Sequence, residues 1–312
     1  MICAAANPAM DATLVLDRLV PGAIHRPREV SRRPGGKAIN VARATLALAA
    51  EASVVALVAA EAAEWFGVEL EAEGIPFKGL AVPGGMRCCT SILDAAAGEL
   101  TEVYEDGAEV DDTGWDRFAR AVLGDAGEGA TVVLSGSLPR GVDPSALGRL
   151  AAAIVASGAS LAVDASGAAL AATSGTAIDL VKVNEAEARD LLGAGHEERS
   201  TAQLATTLRE RFEPSLTTAI VTLGPRGAVA ASPSGGVLTA TLDRPPGHFP
   251  VGSGDVFLAG LLVAGERGQD LGGRLRLATG AGAANAERIG AGTLDPALAE
   301  NLASAVRIEE QA

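Results

Sequence analysis

The chain has 312 residues, 48% hydrophobic and 21% charged, a composition that supports a packed globular protein and excludes a disordered one. Its length suits one large α/β domain, although length alone also admits two. A net charge of −14 argues against nonspecific binding to nucleic acid or to an anionic membrane.

In chain order, an apparent first strand runs into Asn7-Pro8-Ala9-Met10-Asp11. No basic leader precedes that break, so a signal peptide is not expected and the cytoplasm is the expected compartment. Residues 12–33 are short, alternating and charge-rich, consistent with strands that stand off a main sheet. The pattern then predicts helix 39–49, strand 53–58 and helix 61–72. The apolar stretch near 46–60 contains Glu51 and is too interrupted to span a membrane. Residues 87–106 return to the alternating, charge-rich character. Helix 114–123, strand 131–135, helix 144–157 and strands 160–164 and 178–183 follow. Helices 185–192 and 201–211, strand 217–222 and helices 254–266 and 273–287 complete the reading.

Strands alternating with helices imply parallel βαβ units, right-handed crossovers and a sheet covered on both faces. Sites in such sheets lie beyond the carboxyl ends of the strands. The absence of repeats, low-complexity tails or linkers favours a single domain over residues 1–312. Cys3, Cys88 and Cys89 lack metal-ligand spacing, and His25, His196 and His248 are isolated, so no structural zinc is expected.

Two segments carry the chemistry. In Pro250-Val251-Gly252-Ser253-Gly254-Asp255, a flexible turn opens an apolar helix. Unpaired N–H groups and the helix dipole there favour an anion. Asp255 would repel that anion, a conflict resolved if its carboxylate faces a hydroxyl that attacks a phosphoryl group; an ordinary Asp cap is the alternative. Its place at a helix mouth predicts a lowered pKa. The second segment, Pro34-Gly35-Gly36-Lys37-Ala38-Ile39-Asn40-Val41-Ala42-Arg43, also opens a helix but lacks Walker A spacing. Gly35 and Gly36 allow close backbone approach, Lys37 supplies a point charge and Asn40 could bind a hydroxyl.

Between Arg18 and Arg43, Arg18, Arg26, Arg28, Arg32, Arg33, Lys37 and Arg43 face one acidic residue, Glu29. Such a stretch suits either a mouth for a small anion or a solvated charged face. Lysine is scarce, three against 22 arginines, and Lys37 and Lys182 both fall in motifs, which hints that a compact ammonium is needed there.

The paired glycine-rich motifs resemble those of the ribokinase (PfkB) carbohydrate kinase family. Ser135-Gly136-Ser137-Leu138-Pro139, Asp164-Ala165-Ser166-Gly167, Lys182-Val183-Asn184-Glu185-Ala186-Glu187 and Thr222-Leu223-Gly224-Pro225-Arg226-Gly227 extend the resemblance nearly end to end. It is similar above all to the branch acting on phosphorylated ketohexoses, which contains 1-phosphofructokinase and tagatose-6-phosphate kinase.

This resemblance implies a Rossmann-type, mostly parallel sheet covered by helices on both faces, with segments near 12–33 and 87–106 forming a small β-strand lid and a homodimer contact. It implies ATP and Mg²⁺ as cofactors and a ketohexose monophosphate as substrate. Asp255 would be the base, with the amides of Gly252, Ser253 and Gly254 neutralising charge. Asp11, Gly35, Gly36, Lys37 and Asn40 would hold the sugar, and Arg26, Arg87 and Ser137 its phosphate. Asn184 and Glu187 would organise Mg²⁺ largely through water; a capped helix with an acidic first turn is the alternative. Lys182, Thr222, Gly224, Gly227 and Asn285 would frame the nucleotide.

The chain departs from the family pattern at Ala38, usually glycine, at 58–67, which lacks a glycine-rich turn, and at Glu102, an arginine in the minor 6-phosphofructokinase. A kinase for an unphosphorylated sugar or nucleoside, and a noncatalytic sugar- or nucleotide-binding regulator, stay open as alternatives.

Overall fold

The computed structural model describes residues 1–193, 198–212 and 218–311; His196 and Thr217 lie outside them. Ten strands form the main sheet. Their order is β14 (Arg307–Gln311), β13 (Val237–Thr241), β12 (Ala228–Ala231), β11 (Thr218–Thr222), β10 (Leu180–Asn184), β9 (Ser160–Asp164), β8 (Thr131–Ser135), β1 (Ile2–Ala5), β4 (Ser53–Ala59) and β5 (Phe77–Val82). Pairing is parallel from β5 through to β11 and antiparallel from β11 to β14.

Side chains alternate across this sheet as the strand period requires. Cys3, Ala5, Val54, Ala56 and Val58 pack on one face with helices α1 (Lys37–Ala47), α2 (Ala63–Ala72), α8 (Ser253–Glu266), α9 (Leu271–Asn285) and α10 (Pro296–Ala305). Ile2, Ala4, Val55 and Leu57 pack on the other with α3 (Asp112–Asp125), α4 (Pro144–Ala156), α5 (Gly167–Ala171), α6 (Glu185–Leu192) and α7 (Thr201–Arg211). The abundance of small residues has a packing consequence. A Cβ on Gly260 would lie 2.9 Å from Ala278 Cα, and one on Gly280 would lie 2.5 Å from the Ala299 carbonyl oxygen. Side chains at those points would force α8, α9 and α10 apart.

A second sheet of four strands stands apart, in the order β3 (Glu29–Gly35), β2 (Ala9–Leu16), β6 (Cys88–Asp94) and β7 (Glu99–Tyr104). It starts earlier than the expected segment 12–33. Asp11 therefore lies within β2 and does not simply follow the first strand, while 17–28 contains no strand. The sequence reading also missed β5, β12, β13 and β14 and helices α5 and α10: the edge strand β5 is broken by Lys78 and Gly79, β12 has four residues, and the edge strand β14 is Arg-Ile-Glu-Glu-Gln, without an apolar run.

Candidate active site

A cleft of about 650 Å³ opens over the carboxyl ends of β1, β8, β9, β10 and β11, with β2 and β6 of the small sheet contributing a wall. Gly252 to Asp255 sit at its centre. Gly252 is left-handed (φ 78°, ψ −3°) and caps α8. A Cβ on it would lie 2.7 Å from the Gly292 nitrogen, so glycine is required for both conformation and space.

The amides of Gly252 and Gly254 have no acceptor among the described residues. The Ser253 N–H, expected to join them, instead donates to the Pro250 carbonyl at 3.0 Å. Asn285, expected beside the nucleotide, is fully buried behind this loop. Its Nδ2 donates to Val251 O (2.8 Å) and Ser253 Oγ (3.0 Å), so it braces the anion turn.

Asp255 is 6% exposed, and its Oδ2 accepts from Asn40 Nδ2 at 2.9 Å. Burial pushes its carboxyl up to about 7, Asp164 adds to that, and Lys37, Lys182 and the Asn40 amide act against it. The lowered pKa expected of a helix mouth is therefore reversed. The dipole effect is worth a fraction of a kcal/mol to about 2 kcal/mol, and desolvation beside a second carboxylate exceeds it.

Asp164 is a site residue that the sequence reading left unassigned. It is fully buried, with Lys182 Nζ 2.8 Å from Oδ2 and Lys37 Nζ 3.0 Å from Oδ1. Burial would raise its pKa, but Lys182 and then Lys37 outweigh that and hold it below the usual range. Burial likewise opposes the Lys37 charge, yet Asp164, Asp255 and Glu187 keep this ammonium well above its ordinary pKa. Asp164 thus holds both lysine side chains at the cleft floor. The sequence signal was their retention in an arginine-rich chain.

Asn184 and Glu187 face the cleft, joined as a capping box. Glu187 N donates to Asn184 Oδ1 and Asn184 N to Glu187 Oε2, each at 2.8 Å. Glu187 Oε1 lies 3.7 Å from Lys37 Nζ. No cluster of three or more His, Cys, Asp or Glu able to hold a metal occurs among the described residues. Such a donor set suits an ion carried by phosphates and water better than a protein cage. Beyond it, Thr222, Gly224 and Gly227 line one end of the cleft with Leu242 and Arg244.

Asp11, Gly36, Lys37, Asn40, Arg87 and Ser137 line the opposite end. Gly35 lies just behind, where a Cβ would strike the Asp11 carboxylate at 2.0 Å. Burial raises the Asp11 pKa, while Arg43, Arg33, the Gly36 N–H and Arg87 pull against it. Arg87 Nη2 donates to Asn7 O (2.7 Å) and Nε to Pro8 O (3.1 Å), and Asn7 Nδ2 donates to Ser137 Oγ (2.9 Å). A corner of Arg87, Asn7 and Ser137 results. Arg26 is not in it: that side chain is exposed on the 17–28 connection, away from the cleft lining.

An anion turn, a buried carboxylate and two clamped lysines between the two ends of one cleft are the parts of a phosphoryl-transfer enzyme. Residues 2–298 match the pfkB family carbohydrate kinase model, and the chain belongs to that family. It is an ATP-dependent carbohydrate kinase. A 1-phosphofructokinase of Xanthomonas campestris pv. campestris is 30% identical over 83% of this chain and 81% of its own length. One of Rhodobacter capsulatus is 30% identical over 88% and 86%.

Among solved structures, phosphofructokinase-2 from Escherichia coli in complex with potassium superimposes with a TM-score of 0.86 at 23% identity, covering 97% of this chain and 98% of that one. The tetrameric inhibited form of the same enzyme gives 0.85 at 24% identity, covering 97% of each chain. These establish a ribokinase-like α/β fold. No helix among the described residues is long and apolar enough to cross a membrane.

Proposed function

We propose that the chain transfers the γ-phosphoryl group of ATP to a hydroxyl of a ketohexose monophosphate. The observation that carries this reading is the buried carboxylate of Asp255, held near neutral pKa beside the unpaired Gly252 and Gly254 amides. A base of that pKa is about half ionised at neutral pH and basic enough to accept the hydroxyl proton. The two amides, with Lys37 and Lys182, offset charge on the transferring phosphoryl group.

Thr222, Gly224 and Gly227 frame the nucleotide, and its phosphates extend to Lys182. Glu187 and Asn184 would hold a hydrated Mg²⁺ beside the ATP phosphates, and the ion would supply charge neutralisation there. Asp11 and Asn40 hold sugar hydroxyls, and Arg87 with Ser137 holds the sugar's own phosphate. The two 1-phosphofructokinase relatives favour fructose 1-phosphate within the class.

Coupled ADP release with fructose 1-phosphate, fructose 6-phosphate, tagatose 6-phosphate and the free sugars tests this reading. The expected result is Mg²⁺-dependent turnover with a phosphorylated ketose and at least roughly tenfold lower kcat/KM with its parent sugar, the loss of one charged hydrogen bond. Preference for an unphosphorylated sugar or a nucleoside would overturn the substrate class.

We also propose that the small sheet is a lid over the sugar and the contact for a second copy of the chain. Tyr104 (56%), Val103 (55%) and Val30 (45%) leave apolar surface exposed on it, and Ile24 (89%) adds to that from the connection between β2 and β3. A homodimer is expected by light scattering, and Ile24→Glu with Val30→Glu should yield monomers. A monomeric wild type, or an undiminished mass in the double variant, would refute the contact.

A further inference from the structure

We propose that Arg43 and Glu73 are positioning residues for phosphoryl transfer, fixing Asn40 so that its amide N–H, and not its carbonyl, faces Asp255. The inference rests on the reading of Asp255 as the base. An asparagine side chain has nearly the same shape after a half-turn of its amide, so packing alone does not decide which end meets a neighbour. The choice matters here: an N–H stabilises the carboxylate, whereas a carbonyl oxygen repels it.

Arg43 makes that choice. Asn40 and Arg43 are three residues apart on α1 and share a face. Arg43 Nη1 donates to Asn40 Oδ1 at 3.1 Å, and arginine has no acceptor to offer. Asn40 Nδ2 is thereby left for Asp255 Oδ2. Arg43 is itself immobilised. It is 8% exposed, and its Nε and Nη2 grip the two oxygens of Glu73. Nη2 also donates to Pro34 O at 2.8 Å and Nη1 to Ala291 O at 3.5 Å. Five N–H groups meet five acceptor contacts.

Two features favour a positioning role for this cluster. Glu73 occupies the C-cap of α2, where the helix dipole disfavours a carboxylate, so helix stability does not account for it. The segment Arg43 grips at Ala291 continues to Gly292, which abuts both Asn40 (2.9 Å from a built Cβ to Cα) and the anion-turn Gly252. One guanidinium therefore ties α1, α2, the end of β3 and the support of the anion turn.

The variants leave in place the other groups facing Asp255, namely Lys37 from α1, Asp164 from the end of β9 and Lys182 from β10. Loss of the Asn40 N–H removes an interaction that favours the ionised carboxylate, so the acid limb of the kcat/KM profile should move to higher pH. A packing defect alone has no reason to move it.

The test is a double-mutant cycle on the full-length enzyme. Arg43→Lys keeps the charge but cannot reproduce the fork. It should lower kcat roughly 10- to 100-fold, the effect of one misdirected charged hydrogen bond, with KM for ATP changed less than about threefold. The deficit should shrink between about pH 6 and 9 as Asp255 ionises. In an Asn40→Ala background, the same change should lower kcat by less than about threefold more.

Glu73→Gln, at a partly exposed side chain, supplies the cycle if Arg43→Lys fails to fold. Its smaller kcat loss should also vanish without Asn40. Losses that multiply independently, or a deficit flat across pH, would overturn the relay. An Asp255→Asn enzyme that stays active would instead remove the base assignment itself.

Discussion

Asp255→Asn is expected to bind ATP as the wild type does and to lose turnover by roughly 10²–10⁴-fold, the usual contribution of a positioned general base. The substitution keeps size and shape in a site that is 6% exposed, so the α8 start and its amides should persist. Isothermal titration with ATP and steady-state kcat provide the two readings. A variant keeping more than about a tenth of wild-type kcat would contradict the base assignment.

The pH dependence gives an independent check. Asp255 must be unprotonated to accept the hydroxyl proton, and burial with Asp164 pushes its carboxyl up to about 7. Wild-type kcat/KM should therefore fall about tenfold per pH unit below that value and level off above it. The residual activity of Asp255→Asn should lack this limb. A wild-type limb at the ordinary carboxylate range would show that burial does not dominate.

That pKa marks where sequence reading reaches its limit. The chain advertised a glycine turn, a helix and an acid, and local physics gave a lowered value from the dipole. The opposing contributions are burial and then Asp164, and they outweigh Lys37 and Lys182; these groups lie on β9, α1 and β10 and meet Asp255 only in the folded chain. Most strands and helices from Ser53 to Thr222 were legible because their apolar runs carry their own period; β5 was not, because Lys78 and Gly79 break its run. The antiparallel edge was not, because four residues of β12 and the polar β14 are strands through pairing alone.

Residue types were easier to read than their tasks. Lys37 and Lys182 stood out by scarcity, but nothing local showed that one buried carboxylate, Asp164, clamps both. Asn285 lay in a small-residue run near the expected nucleotide, and the fold turns its amide onto Val251 and Ser253 instead. Arg43 closed a recognised motif, yet its partner Glu73 sits at the end of the next helix, in a segment with no motif at all.

Arg87→Ala is expected to penalise a sugar phosphate far more than its unphosphorylated parent. A charged hydrogen bond to phosphate contributes about 1.5–3 kcal/mol, or roughly 10- to 150-fold in relative kcat/KM. The structure adds a second effect to separate. Arg87 already spends Nε on Pro8 O and one Nη2 donor on Asn7 O, so it also braces the turn that presents Asn7 to Ser137. Truncation should therefore slow both substrates somewhat, and only the excess loss with the phosphorylated one reports phosphate recognition.

Arg87→Lys divides the two effects further. It keeps a cation near the phosphate but cannot hold both carbonyls and a phosphate fork at once. Its activity on the sugar phosphate should lie between wild type and Arg87→Ala, with the preference for the phosphorylated substrate partly retained. Comparing kcat/KM for the two substrates in all three proteins gives the answer. Equal losses for both in Arg87→Ala would make Arg87 a brace alone, and the binding of the substrate phosphate would have to be sought at Ser137 or on the second copy's lid.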